Sequence, residues 1–162
     1  MTDTFETYDV NNTTRQFLTF TVDGEEYGVD IMTVREIKGW TETTRLPGSP
    51  DSMRGVMNLR GLIIPIFDLR SRFGHGQTDA TAKHVVIILA VGTRNVGILV
   101  DAVSDILNAT AEQIKPAPQQ ETAIDADFIS GLISLESRMV VLLNIDQLFD
   151  LRPIDTLIEH AA

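Results

Sequence analysis

The sequence predicts an all-β protein made of two small barrels packed side by side. Three observations carry this. Phe20 to Ile37 recurs without a gap as Leu89 to Ile106, since adding 69 takes Phe20 to Leu89, Val22 to Val91, Gly28 to Gly97, Ile31 to Val100, Val34 to Val103, Glu36 to Asp105 and Ile37 to Ile106. A second match, with offset 76, pairs Gly55 with Gly131, Val56 with Leu132, Leu59 with Leu135, Asp68 with Asn144, Leu69 with Ile145 and Phe73 with Phe149. Within each copy, short apolar runs alternate with tight-turn residues, giving roughly five short strands closed by a helical turn. A unit built twice has a seam lined by both copies, and such a seam is a natural docking groove.

The elements follow in order along the chain. Residues 1–14 are rich in Thr, Asn and Asp without a period, and read as a flexible N-terminal tail. Gln16 to Val22, the turn Asp23-Gly24 and Tyr27 to Ile31 form a hairpin signature. Its copy is Val85 to Val91, a turn around Gly92 to Asn95, and Val96 to Val100. Met32 to Ile37 fits both a helical and a strand spacing, which a short helical turn leading into a strand satisfies. Pro47-Gly48-Ser49-Pro50 and Lys115-Pro116-Ala117-Pro118 punctuate the two copies at equivalent places. Gly55 to Leu59, Arg60-Gly61 and Leu62 to Asp68 make a second hairpin, copied by Phe128 to Leu135 and Met139 to Asn144. Pro65 cannot donate to a ladder, so its strand is expected at an edge or locally bent. Asp68 to Phe73 reads as a capped helical turn ended by Gly74, and Asn144 to Phe149 repeats it. Arg152 to Ala162 has the makings of a short final helix.

Composition bounds what this fold can do. With 162 residues and 43% hydrophobic content, the chain can bury roughly 70% of the surface its unfolded form exposes. Each half is only about as long as the smallest stable domains, so the copies are expected to lean on one another. A formal charge of -10 argues against nucleic acid and anionic membrane, whose affinity comes from clustered Lys and Arg. The absence of Cys removes disulfides and thiolate chemistry and fits a reducing cytoplasm. Met1 to Arg15 has neither a basic n-region nor an apolar h-region, so no secretory signal is expected. The longest apolar runs, Leu62 to Phe67 and Val85 to Val91, fall far short of the ~20 residues that cross a bilayer.

Catalytic and ligand motifs are sparse. His75, His84 and His160 are scattered without a paired spacing, so no metal is expected. Ser130-Gly131 lacks the nucleophile elbow and reads as a polar turn residue. Neither glycine-rich phosphate loop is present, and no cofactor is expected. Asp30, Asp68, Asp101 and Asp105 sit beside turns or helix starts, where capping or solvation explains them better than acid–base work.

A binding constellation is sharper. The runs Tyr27-Gly28-Val29-Asp30-Ile31, Val34-Arg35-Glu36-Ile37, Arg54-Gly55-Val56-Met57-Asn58-Leu59-Arg60-Gly61, Ile64-Pro65-Ile66 and Asp68-Leu69-Arg70 closely resemble the CheW family of chemotaxis coupling proteins. The likeness continues through Val96-Gly97, Val100-Asp101, Val103-Ser104-Asp105 and Phe128-Ile129-Ser130-Gly131-Leu132, and so covers about residues 16–150. It implies two tandem five-stranded Src-homology-3-like barrels with short helical turns and a hydrophobic groove between them. The division it suggests is about 15–80 and 83–150, with exchange of strands between the barrels allowed, and 151–162 as a short C-terminal extension.

The resemblance further implies a cytoplasmic adaptor without enzymatic activity, recruited to arrays at the inner face of the membrane. It would join the cytoplasmic tips of methyl-accepting chemoreceptors to the regulatory domain of the histidine autokinase CheA, with no nucleic acid and no direct membrane insertion. The receptor-facing positions it implies are Val34, Glu36, Gly55, Asn58 and Arg60. Val34 would supply apolar area, Glu36 and Arg60 would set register by charge, and Gly55 would let backbones approach. Each also has a plainer reading: Val34 as core, Arg60 as an exposed hairpin residue, Gly55 as the seat of a bulge. The kinase contact is expected mainly on the second barrel, with no residue singled out. Ile133-Ser134 stands where related chains often carry Gly, and residues 1–14 match nothing firmly.

Two rival readings belong to other classes. One is the regulatory domain of a CheA-like kinase, or the coupling half of a receiver fusion; the opening Met and the lack of an ATP-binding or phosphoacceptor segment favour a standalone adaptor. The other is a small β-barrel enzyme or ligand-binding protein, which would need polar groups converging in a closed pocket.

Overall fold

Residues 14–116 and 128–149 are described by the computed structural model, and among them eleven strands pair into two sheets. The strands are β1 (Thr14–Val22), β2 (Glu25–Asp30), β3 (Val34–Gly39), β4 (Met53–Leu59), β5 (Leu62–Asp68), β6 (Val85–Val91), β7 (Arg94–Val100), β8 (Ala102–Thr110), β9 (Ile114–Lys115), β10 (Ile129–Leu135) and β11 (Arg138–Leu143). One sheet has the order β3-β6-β7-β5-β4 and draws only on residues 34–100; we call it the nested barrel. The other, β8-β1-β2-β11-β10-β9, takes strands from both sides of that segment and is the split barrel.

Each sheet is closed by a strand that bends back onto its far edge. Beyond β3 the chain returns so that Thr44 bridges β4, its N–H donating to the Val56 carbonyl at 2.9 Å and its own carbonyl accepting from the Val56 N–H at 2.8 Å. Beyond β8 the 3-10 turn Ala111–Gln113 leads into β9, which pairs with β10 at Leu132↔Lys115. Closure satisfies backbone groups that an open edge would leave bare.

The duplication is visible in the pairing itself. Exchanging β1 with β6, β2 with β7, β3 with β8, β4 with β10 and β5 with β11 converts one strand order into the other, β9 apart. The leading hairpins are therefore exchanged: β1–β2 joins β8, β10 and β11, while β6–β7 joins β3, β4 and β5. A boundary near residue 80 does not separate the barrels, because each takes its central hairpin from the other repeat.

Three apolar clusters hold the pair together. Met57, Leu59, Ile64, Ile66, Val86, Ile88 and Leu99 fill the nested barrel. Phe17, Ala109, Ile133, Val140 and Leu142 fill the split one, so Ile133 is interior. The largest cluster lies between them and takes Leu18, Phe20, Val29, Phe67, Ile87, Leu89 and Ile98 from both sheets, with Phe149 from beyond β11. At ~1.5–3 kcal/mol for each large side chain removed from water, this shared layer is what makes the halves interdependent. It packs the interior of the seam, leaving Val34, Val56, Val85, Val103 and Val141 partly buried around it. Tyr27 lies between the rings of Phe20 and Phe73, and burial pushes its phenol up to about 12.

Local details follow from residue chemistry. Asp30 caps a 3-10 turn, Ile31–Thr33, by accepting from the Met32 N–H at 2.9 Å, and β3 follows directly. Asp68 is fully buried and caps the short helix Leu69–Arg72, accepting from Ser71 N–H at 3.3 Å. Its carboxylate also accepts from the Thr78 N–H and hydroxyl, both at 2.7 Å, so it ties a loop down as well. The matching helix Ile145–Leu148 follows Asn144 without a side-chain cap bond.

Pro65 corrects the edge expectation: β5 is an interior strand, between β7 and β4. Val56 spends its N–H and C=O on Thr44, so the opposite pair Val56↔Pro65 exchanges no ladder bonds, and β7 joins β5 only from Ile66 onward. The missing donor thus falls where no partner waits. The β6–β7 turn is tighter than expected, with β7 starting at Arg94. Thr14 already belongs to β1; the rest of the expected tail and the C-terminal extension lie outside the described residues.

Candidate functional site

A β-bulge sets up the site. Before it, Val34 pairs with Leu89 and packs against the shared seam cluster; after it, Glu36 pairs with Ile88, a residue of the nested barrel's interior. One extra residue, Arg35, thereby sends two neighbouring candidate positions to different surroundings. The β4–β5 turn brings the second group. Arg60 and Gly61 both have positive φ, 52° and 87°, as a two-residue hairpin turn requires, and Asn58 Oδ1 accepts from the Gly61 N–H at 2.8 Å. This turn aims Arg60 across the barrel end, where its Nη2 donates to Glu36 Oε1 at 2.6 Å.

The two side chains remain 73% and 29% exposed, so water screens the pair and it fixes position more than it stabilises the fold. The hydrogen bond from Arg60 holds the Glu36 carboxyl below its ordinary range, and Glu36 in turn raises the guanidinium. Beneath them lies a cavity of about 320 Å³ with Leu59, Ile64 and Ile88 as its floor. Leu62, 58% exposed, stands at its rim with Arg35 and Asn95. It is an apolar well with a charged lip, suited to receiving a side chain from another molecule.

The structure brings Glu36, Asn58 and Arg60 together and places the other two expected residues elsewhere. Val34 turns toward the seam. Gly55 is buried at a β4 bulge with φ 147°, and a Cβ there would lie 2.5 Å from the Thr44 carbonyl oxygen. The backbone that approaches Gly55 is its own.

The split barrel has the corresponding end, and it carries a network of ion pairs centred on Arg138. Under the repeat, Leu62 corresponds to Arg138, Glu36 to Asp105, Asn95 to Glu26 and Ile88 to Thr19. Arg138 donates from Nε to Glu26 at 3.0 Å, meets Glu26 again through Nη2, and donates to Asp105 at 3.1 and 3.3 Å. Thr19, fully buried, donates to Asp105 Oδ1 at 2.6 Å. The bonds from Arg138, then from Thr19, hold the Asp105 carboxyl below its ordinary range, and the two carboxylates raise Arg138. Reading the residues one by one missed Leu62, Asn95 and this network, although the offsets 76 and 69 already pair Leu62 with Arg138 and Asn95 with Glu26, and one further position pairs Ile88 with Thr19.

The remaining suspected carboxylates have structural partners. Asp30 meets Arg15 at 3.1 Å, and Asp101 accepts from the Asp23 N–H at 2.8 Å and faces His84 Nε2 at 3.4 Å. No group of three metal-ligating side chains occurs among the described residues, and none of their helices is long and apolar enough to cross a membrane.

Comparison with known proteins agrees with this architecture. A family model described as CheW-like domain matches residues 16–152. The chain is 46% identical over 134 residues to a chemotaxis protein CheW of Klebsiella aerogenes, covering 83% of this chain and 81% of that one. It is 44% identical over 140 residues to a probable chemotaxis protein CheW of Rhizobium etli, covering 86% and 90%. The crystal structure of the scaffolding protein TtCheW from Thermoanaerobacter tengcongensis superposes with a TM-score of 0.79 at 30% identity, covering 88% of this chain and 92% of that one.

Proposed function

The chain belongs to the CheW family of chemotaxis scaffold proteins, and from that premise we propose that it is a non-enzymatic adaptor joining chemoreceptor tips to the histidine kinase CheA in the cytoplasm. A receptor tip is an antiparallel helical hairpin, and it docks on the face of the nested barrel that carries Glu36, Asn58 and Arg60. Val34 extends this contact toward the seam. Gly55 acts from beneath, by allowing the bulge that shapes β4. CheA docks mainly through residues of the second repeat, and the resulting assembly is an array beneath the membrane.

The observation that supports this reading best is the Arg60–Glu36 pair. Two residues expected from the family resemblance to face a receptor, 24 positions apart, meet at 2.6 Å on an accessible barrel end above an apolar floor. Such a surface offers area and register without any converging catalytic groups. Co-sedimentation with receptor-containing membranes and with CheA, each omitted in turn, tests it. Pelleting with receptor membranes alone, and recruitment of CheA only when the chain is added, is the expected result; a chain that stays in the supernatant under every condition would end the proposal.

A further inference from the structure

The two barrel ends are copies of one design that have diverged in what fills them. In the split barrel the end carries the long side chain of Arg138, whose tip is engaged by Glu26, Asp105 and Thr19. In the nested barrel the matching position is Leu62. Ile88 replaces the hydroxyl of Thr19 in the floor and Asn95 replaces the carboxylate of Glu26. The result is a well of about 320 Å³ where the split barrel carries the Arg138 network. The lip is also unusual for a chain of net charge -10: Arg35 and Arg60 against Glu36 leave a local excess of positive charge.

We infer that the mouth of the nested barrel is a side-chain socket, which takes an aliphatic residue from the receptor's helical hairpin with a carboxylate beside it on the same helix. The Arg138 network shows that a long side chain can lie at an end of this geometry with its tip held by polar partners. The apolar floor of Leu59, Ile64 and Ile88 selects an aliphatic one. The cationic lip selects an acidic neighbour, which draws Arg60 partly away from Glu36 as the helix seats. This rests on the proposal that the Glu36–Arg60 face meets the receptor, and it adds which subsite on that face is filled and by what.

The test uses the full-length chain with methyl-labelled Ile, Leu and Val, titrated with a receptor signalling-tip fragment. The expected result is saturable shifts in the methyl signals of Leu62, Ile64 and Ile88, with affinity lost at least ten-fold when the Arg138 network is copied by Leu62→Arg with Asn95→Glu. Leu62→Ser, which opens the mouth further without adding charge, is the second variant and is expected to weaken binding several-fold. If the wild-type chain binds the fragment while those methyl signals stay still and both variants bind normally, the socket is wrong and the receptor-facing reading stands. If the wild-type chain does not bind the fragment at all, both fall.

Discussion

Gly28 and Gly97 hold the same station in the two barrels, each opposite the parallel strand that joins the exchanged hairpin: Gly28 against Leu142, Gly97 against Ile66. Their surroundings are not equally tight. A Cβ at Gly28 would lie 3.1 Å from Leu142 Cδ2, whereas one at Gly97 would lie 2.4 Å from Ile66 Cδ1 and 3.0 Å from Val86 Cγ1. Gly97→Ala is therefore expected to cost ~1–3 kcal/mol as overpacking, and Gly28→Ala less. Urea unfolding checks this. Adding Ile66→Val to Gly97→Ala removes the offending methyl, so the double variant is expected to lose less than the sum of the two single losses. Equal losses at Gly28 and Gly97 would show that the neighbouring side chains simply give way.

Arg60→Glu separates function from folding. Because the side chain is 73% exposed and sits on a turn, circular dichroism and melting are expected to stay nearly unchanged. The substitution sets two carboxylates against one another at the lip and reverses its charge. Receptor-dependent kinase activation, followed as phosphoryl transfer in a reconstituted array, is expected to disappear. An unaltered activation curve would remove Arg60 from the interface.

Val34→Asp tests the apolar side of the same surface. Loss of receptor binding by at least ~2 kcal/mol is expected if Val34 is a contact hot spot. Val34 also packs on the seam cluster, so a lowered melting temperature is expected with it. Binding and melting measured on the same preparation divide the two effects. Complete unfolding would assign Val34 to the core.

Arg138→Met addresses the end of the split barrel through pH. Asp105 is held low by Arg138 first and Thr19 second. A folded-state value below the unfolded one, about 4 for Asp, stabilises the fold above that pH and ceases to do so as pH falls through the folded value. Removing Arg138 leaves Asp105 and Glu26 facing each other without their cation. A melting deficit relative to wild type is expected at neutral pH, shrinking as pH falls through the lowered value of Asp105. A deficit independent of pH would assign the loss to packing of the aliphatic stem.

The hairpins were legible because alternating apolar residues and turn dipeptides are local signals, and all four appear where the pattern put them. The turn-then-strand reading of Met32 to Ile37 also matches, since Asp30 supplies the cap. Pairing between elements is a different kind of information. The offsets 69 and 76 say which segments are alike, not which lie side by side, so the exchange of hairpins could be allowed but not assigned. Pro65 illustrates the same limit: its missing donor was read correctly, but that its open flank occurs within an interior strand depends on Thr44 having taken the bonds of Val56. At the candidate site, Glu36 and Arg60 came from resemblance, and their contact depends on a bulge at Arg35 and a positive φ at Arg60, neither of which a residue pattern displays.

The nesting of one barrel within the other orders events during synthesis. Every strand of the nested barrel has been made once Val100 leaves the ribosome, so that barrel can close while translation continues. The hairpin β1–β2, made first of all, must wait for β8, β10 and β11 before it has neighbours, and until then its seam-facing side chains can rest only on the finished barrel. The first of the described hairpins to emerge is thus among the last to be fully secured, and a ribosome stalled when Val100 has just cleared its exit tunnel should carry one protected barrel and a protease-sensitive β1–β2 hairpin.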